Sequence, residues 1–111
     1  MPTLMPFDDN LHPIPVLRFK EGGAHRIEAG AVSQRNATPF DSQTRVVGIF
    51  ATGPVFLRTG GSGVSATATD HFFPENVYYD LALGDGRRAQ HSHLAVVAAS
   101  GDCTVYISEK E

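Results

Sequence analysis

Apolar and polar residues alternate along this chain with a period of two, in short runs separated by turn residues. The alternation is cleanest near the C-terminus. There Cys103, Val105 and Ile107 fall on one face of an extended segment, and Thr104, Tyr106 and Ser108 fall on the other. Val77, Tyr79, Leu81 and Leu83 likewise share a face opposite Tyr78, Asp80 and Ala82, and Val55, Leu57 and Thr59 oppose Phe56 and Arg58. Arg45–Ala51 is apolar on both faces, as a strand covered on both sides would be. In a domain this small, the second cover points to another subunit.

Glycine punctuates the pattern at Glu21-Gly22-Gly23, Gly60-Gly61-Ser62-Gly63, Gly84-Asp85-Gly86 and Ser100-Gly101-Asp102. The runs between predict strands near Pro15–Lys20, Ala24–Glu28, Ala31–Asn36, Thr44–Ala51, Val55–Thr59, Val77–Leu83, Gln90–Ala99 and Asp102–Ser108, with a shorter extended piece at His71–Phe73. A 3.6-residue apolar recurrence between paired caps is missing; Ala29–Ala37 comes nearest, weakened by Gly30 and the polar Ser33–Asn36. About seven to nine short strands spaced by about ten residues predict an all-β fold, an antiparallel β-sandwich or jelly-roll-like barrel.

The first 18 residues stand apart. Pro2, Pro6, Pro13 and Pro15 exclude a helix interior or a central strand, so residues 1–18 read as an extended arm before a single β-domain at 19–111. Leu4, Met5, Phe7, Leu11, Ile14 and Val16 make the arm too apolar for a solvated linker, so it is expected to lie on a partner surface.

Composition narrows the function. The chain of 111 residues is 41% hydrophobic and 19% charged, which is ordinary for a small globular domain. Its core is thin and its sheet edges need cover, so a homo-oligomer, a dimer or trimer, is expected. Nine Lys and Arg against twelve Asp and Glu give a net charge of -3. That argues against a nucleic-acid footprint, and Arg26, Arg35, Arg45 and Arg58 are scattered singly. Cys103 is the single cysteine and permits no intramolecular disulfide. No apolar run approaches the roughly 18 residues of a membrane span, and Met1–Asn10 lacks the basic start and apolar stretch of a signal peptide. A soluble protein made in a reducing compartment is therefore expected.

The sharpest chemical feature is His91-Ser92-His93. On a strand both imidazoles would share a face, as metal ligands do in cupin-like barrels. The stretch after His93 carries no carboxylate, and further ligands would have to come from His71, His12 or His25. Cys103 sits in an alternating apolar set, where a free thiol acts as a small core residue. The Gly60–Gly63 loop lacks the lysine of a phosphate-binding loop. Asp70, Glu75 and Asp80 show no neighbour in sequence that would tune them for acid–base work, and Asn36-Ala37-Thr38 matches the glycosylation acceptor pattern. No cofactor is implied.

Certain runs do resemble a known family. They are Thr44-Arg45-Val46-Val47-Gly48-Ile49-Phe50-Ala51-Thr52, Val55-Phe56-Leu57-Arg58-Thr59-Gly60, Ala66-Thr67-Ala68-Thr69-Asp70, Phe72-Phe73-Pro74-Glu75-Asn76-Val77-Tyr78-Tyr79, His93-Leu94-Ala95-Val96-Val97 and Gly101–Glu109. Their order resembles that of small all-β virion structural proteins of tailed bacteriophages. In these a strand ending in Ala-Thr leads through a short strand to a glycine loop, an Ala/Thr-rich stretch and a Leu-Pro-Ala-like turn. Phe73-Pro74-Glu75 departs from that turn, and the arm has no counterpart. The resemblance implies a non-enzymatic virion component without catalytic residues. The expected role is a capsid decoration or cement protein that binds the head lattice through its arm and a β-domain surface. Its partners would be the major capsid protein or other virion proteins. A neck, tail or spike-base component is the alternative within that class. Outside it stand a cupin-like metal enzyme using His91 and His93, and a carbohydrate-binding sandwich with Tyr78 and Tyr106 as its platform.

Overall fold

A computed structural model describes residues 17–84 and 89–111. Eight antiparallel strands run in chain order: β1 (Phe19–Ala29), β2 (Gln34–Arg35), β3 (Val46–Ala51), β4 (Val55–Gly60), β5 (His71–Phe73), β6 (Tyr78–Ala82), β7 (His93–Ala98) and β8 (Cys103–Lys110). One sheet has the order β1-β8-β3-β6 and the other β2-β7-β4-β5. β1 pairs with β8, β2 with β7, β3 with β6 and β4 with β5. The chain is thus one long ribbon, its first four strands antiparallel to its last four, wrapped into two packed sheets. That is the double-sheet jelly roll expected from the alternation.

The alternation places the core. Ile27, Val47, Ile49, Val105 and Ile107 of the first sheet meet Val55, Leu57, Phe73, Leu94 and Val96 of the second, and all are buried. Leu83, also buried, is held by its amide on the Arg45 carbonyl and by its own carbonyl, which accepts from the His91 amide.

Two predicted boundaries are corrected. Pro15–Lys20 and Ala24–Glu28 are not separate strands; Phe19–Ala29 is continuous, and Glu21-Gly22-Gly23 forms a bulge within it rather than a turn. The register jumps from Phe19 opposite Lys110 to Ala24 opposite Ser108. Gly22 absorbs the irregularity at a φ of 74°, and a Cβ on Gly23 would come within 2.8 Å of the Glu109 Cβ. The second correction shortens Ala31–Asn36 to Gln34–Arg35. Pairing stops because the Asn36 side chain, not its backbone, takes the Leu94 amide. The strand reading beyond Leu17 toward Pro15 and the turn at Asp85–Gly86 lie outside the described residues.

On the outer face of the first sheet, Gly48 leaves room for the Tyr78 ring to lie across β3. Val46 and Phe50, the outward residues of β3, are half-buried beneath such neighbours. Part of the second cover that the sequence assigned to another subunit is therefore supplied by the sheet's own side chains.

Candidate functional site

The sandwich is incompletely closed along one side. β5 has only three residues, and among the described residues it pairs only with β4 and β6 only with β3. Tyr79 and Leu81 of β6 project to the interior, opposite Ile49 and Val47. Ile49 and Val47 have no exposed surface, yet Tyr79 remains 56% exposed. The uncovered space is a groove of about 1180 Å³. Leu57, Phe73, Val77, Tyr79 and Leu81 give it apolar walls, and Thr59, His71 and His91 add polar groups. It exceeds the usual small-molecule pocket of about 300–1,000 Å³ and is open, a shape suited to a length of chain.

A second exposed surface lies on the outer face of the first sheet. The cross-strand row Tyr78–Phe50–Tyr106 spans β6, β3 and β8. Tyr78 and Tyr106 are both about half exposed, and Phe19 is exposed beside Lys110. The Lys110 ammonium sits 4.7 Å from the Tyr78 ring centre and 5.7 Å from that of Phe19, and bonds Asp80 at 2.7 Å. Arg26 lies 5.8 Å from the Tyr106 ring centre. The two tyrosines singled out in the sequence therefore do share a face.

Elsewhere the interior holds a polar clamp. Glu109 is 4% exposed. One carboxylate oxygen accepts from the Thr44 hydroxyl at 2.7 Å and the Asp41 amide at 2.8 Å; the other accepts from His25 Nε2 at 2.8 Å. The His25 ring meets Phe40 edge-on at 4.9 Å. Burial alone would push the Glu109 carboxyl up, but bonds from Thr44, His25 and Asp41, with the charge of His25, hold it below the ordinary glutamate value. Asn36, 2% exposed, donates to the carbonyls of Thr38 and Ser92 and accepts from the Leu94 amide. Together these residues fix the connection from β2 to β3 against β7 and β8. Asn36, read in the sequence as a glycosylation match, is a buried backbone clamp.

His91 and His93 go separate ways. His91 precedes β7, and its Nδ1 lies 2.7 Å from the Thr59 hydroxyl in the groove. His93 opens β7, is buried, and bonds the Ser92 hydroxyl at 2.8 Å beside Arg35 and Asn36. Burial, then the charges of Arg35 and His25, lower its pKa. Among the described residues no three His, Cys, Asp or Glu side chains form a metal-holding group. Asp70 caps the Thr67 amide and Asp80 pairs with Lys110, so these carboxylates have separate partners. The arm residues Leu4, Met5, Phe7, Leu11, Ile14 and Val16 lie outside the described residues.

Cys103 packs against the core, as its place in the alternation requires, and its Sγ lies 3.7 Å from the Gly53 carbonyl. Burial pushes the thiol up; the Gly53 bond opposes this, and the charges of Asp102, Glu28 and Glu75 add to it. A thiol reagent at neutral pH should label Cys103 at least about tenfold faster after unfolding in urea than in the native protein. Equal rates would mean an open, reactive thiol.

The residues that sequence reasoning passed over are the groove walls. Val77, Tyr79 and Leu81 were legible as one face of a strand, but not as an uncovered one. The signal available was the brevity of His71–Phe73, too short to cover that face. Comparison with protein-family models, with curated proteins and with solved structures gives no match.

Proposed function

We propose that this chain is a non-enzymatic structural protein of a phage particle, a capsid decoration or cement protein. It would bind the head lattice through its N-terminal arm and a face of the β-domain. The observation that carries this reading is the exposure of aromatic residues on two surfaces of one small domain: Tyr79 in the open groove, and Tyr78, Tyr106 and Phe19 on the outer sheet. Exposed apolar area of this kind marks contact with other macromolecules. The jelly roll is an architecture shared by viral capsid domains, lectins and cupins. Among these, the resemblance of the Thr44–Glu109 runs to small phage virion proteins favours the capsid role. Repetition on a symmetric lattice turns modest contacts into high avidity, so no single deep pocket is needed.

Deleting Met1–Leu17 should leave the β-domain folded, with an unchanged β-type circular dichroism spectrum, and abolish co-sedimentation with capsids. Undiminished co-sedimentation would remove the arm from the binding account.

A further inference from the structure

We propose that the groove between β5 and β6 receives the N-terminal segment Met1–Val16 of a neighbouring copy. The inference rests on reading that segment as a docking arm, and goes beyond it by naming a second copy, in place of the head lattice, as what the arm contacts. Three observations converge on this occupant.

The first is the shape and lining of the groove. It is open, largely apolar and bounded by β5 and β6, edge strands of the two sheets among the described residues, so a strand-like piece of chain would fit it. Tyr79 and Leu81 already project toward it, and Tyr79 stays 56% exposed among the described residues. The segment outside the described residues supplies matching apolar side chains, among them Phe7, Leu11 and Ile14. Pro13 and Pro15 are two apart, as they must be in a strand bonded on one side only, where every second amide faces away from its neighbour.

The second is charge. Arg58, His71 and His91 are among the groove's lining residues, and among the described residues no Asp or Glu is. The segment carries Asp8–Asp9 between Phe7 and Leu11. An acidic pair flanked by apolar anchors is complementary to that lining.

The third is reach. The segment joins the domain at Leu17–Arg18, where the Arg18 backbone exchanges hydrogen bonds with Glu111 at 2.8 and 2.9 Å. This point lies beside β1, at the opposite edge of the sheet from β6. Phe19, Lys110, Val46 and Ala82 stand in register across the four strands, about 14 Å at ordinary strand spacing. Sixteen extended residues reach roughly 50 Å, far enough to meet an adjacent molecule. To enter its own groove the segment would have to pass from the β1 edge of the sheet to the β6 edge. Entry from a neighbouring copy avoids that path, and such an exchange would repeat one contact at every subunit of a closed oligomer.

The test uses the full chain, purified without particles, so its failure is distinguishable from failure of the virion reading. A photo-crosslinking phenylalanine analogue replaces Phe7, and copies labelled with heavy nitrogen are mixed with unlabelled ones. The expected products join position 7 to peptides spanning 57–82, between heavy and light chains. Tyr79→Asp, at a side chain exposed enough to leave the fold intact, should cut their yield by about tenfold or more. It should also lower the oligomer mass in analytical ultracentrifugation. Crosslinks confined within single chains, crosslinks outside the groove, or a yield unaffected by Tyr79→Asp would each overturn the proposal.

Discussion

Replacing Glu109 by Ala should lower folding stability by about 3–5 kcal/mol, the loss typical when one member of a buried, hydrogen-bonded charged set is removed. The carboxylate is nearly inaccessible and accepts from Thr44, Asp41 and His25. Removing it leaves the buried Thr44 hydroxyl and the nearly buried His25 imidazole without their acceptor, and the Asp41 amide unbonded. Glu109→Gln should cost less, because the amide oxygen still accepts, while its NH2 group must face one of these donors. Denaturant unfolding measures both.

The same group makes stability depend on pH, and the sign follows from its depressed pKa. In the unfolded chain Glu109 titrates near about 4.3, and in the folded protein it titrates lower. Between these values the unfolded state binds more protons, so stability rises with pH. The contribution is complete above the unfolded value and is lost as pH falls through the folded one. Unfolding midpoints taken from neutrality to acid should therefore drop for the native chain below about pH 4.5, and drop less for Glu109→Gln. Parallel curves for the two proteins would show that Glu109 is not the group responsible.

Asn36→Asp should cost about 2–4 kcal/mol, although it changes only one terminal atom group. The new carboxylate can still accept from Leu94, but its second oxygen faces the Thr38 and Ser92 carbonyls that Asn36 now serves as donor. Two acceptors and a buried negative charge are brought together where a donor is required. Asn36→Ser should be milder, since a hydroxyl carries no charge. Thermal and urea unfolding of the pair give the comparison, and equal losses would mean that the donor bonds contribute little.

Strand identity in this protein is written locally. Alternation at Cys103–Ser108, Val77–Leu83 and Val55–Thr59 was enough to orient three strands, because each face meets either core or solvent. What depends on three-dimensional partners was not legible. Glu21-Gly22-Gly23 carries the chemistry of a turn, and only the pairing with β8 makes it a bulge. His91-Ser92-His93 has the spacing of a shared face, but β7 begins at His93, so the alternation rule does not extend to His91. Asn36 reads as part of a glycosylation pattern and Glu109 as an ordinary polar residue, because burial of a polar side chain is decided by partners far away in sequence. Thr44 and His25 lie 65 and 84 positions from Glu109. The open groove was hidden for a related reason. An inward face can be read from one strand, but the absence of a cover depends on the length of another.

The central claim, a repeated structural component of a phage head, is tested most directly by counting. Quantitative mass spectrometry of purified particles gives the number of copies of this chain relative to the major capsid protein. The account predicts a ratio near one or a simple fraction of it. A few copies to about a dozen per particle would instead point to a ring or vertex component of the neck, tail or spike. Absence from the particles would contradict the structural reading altogether.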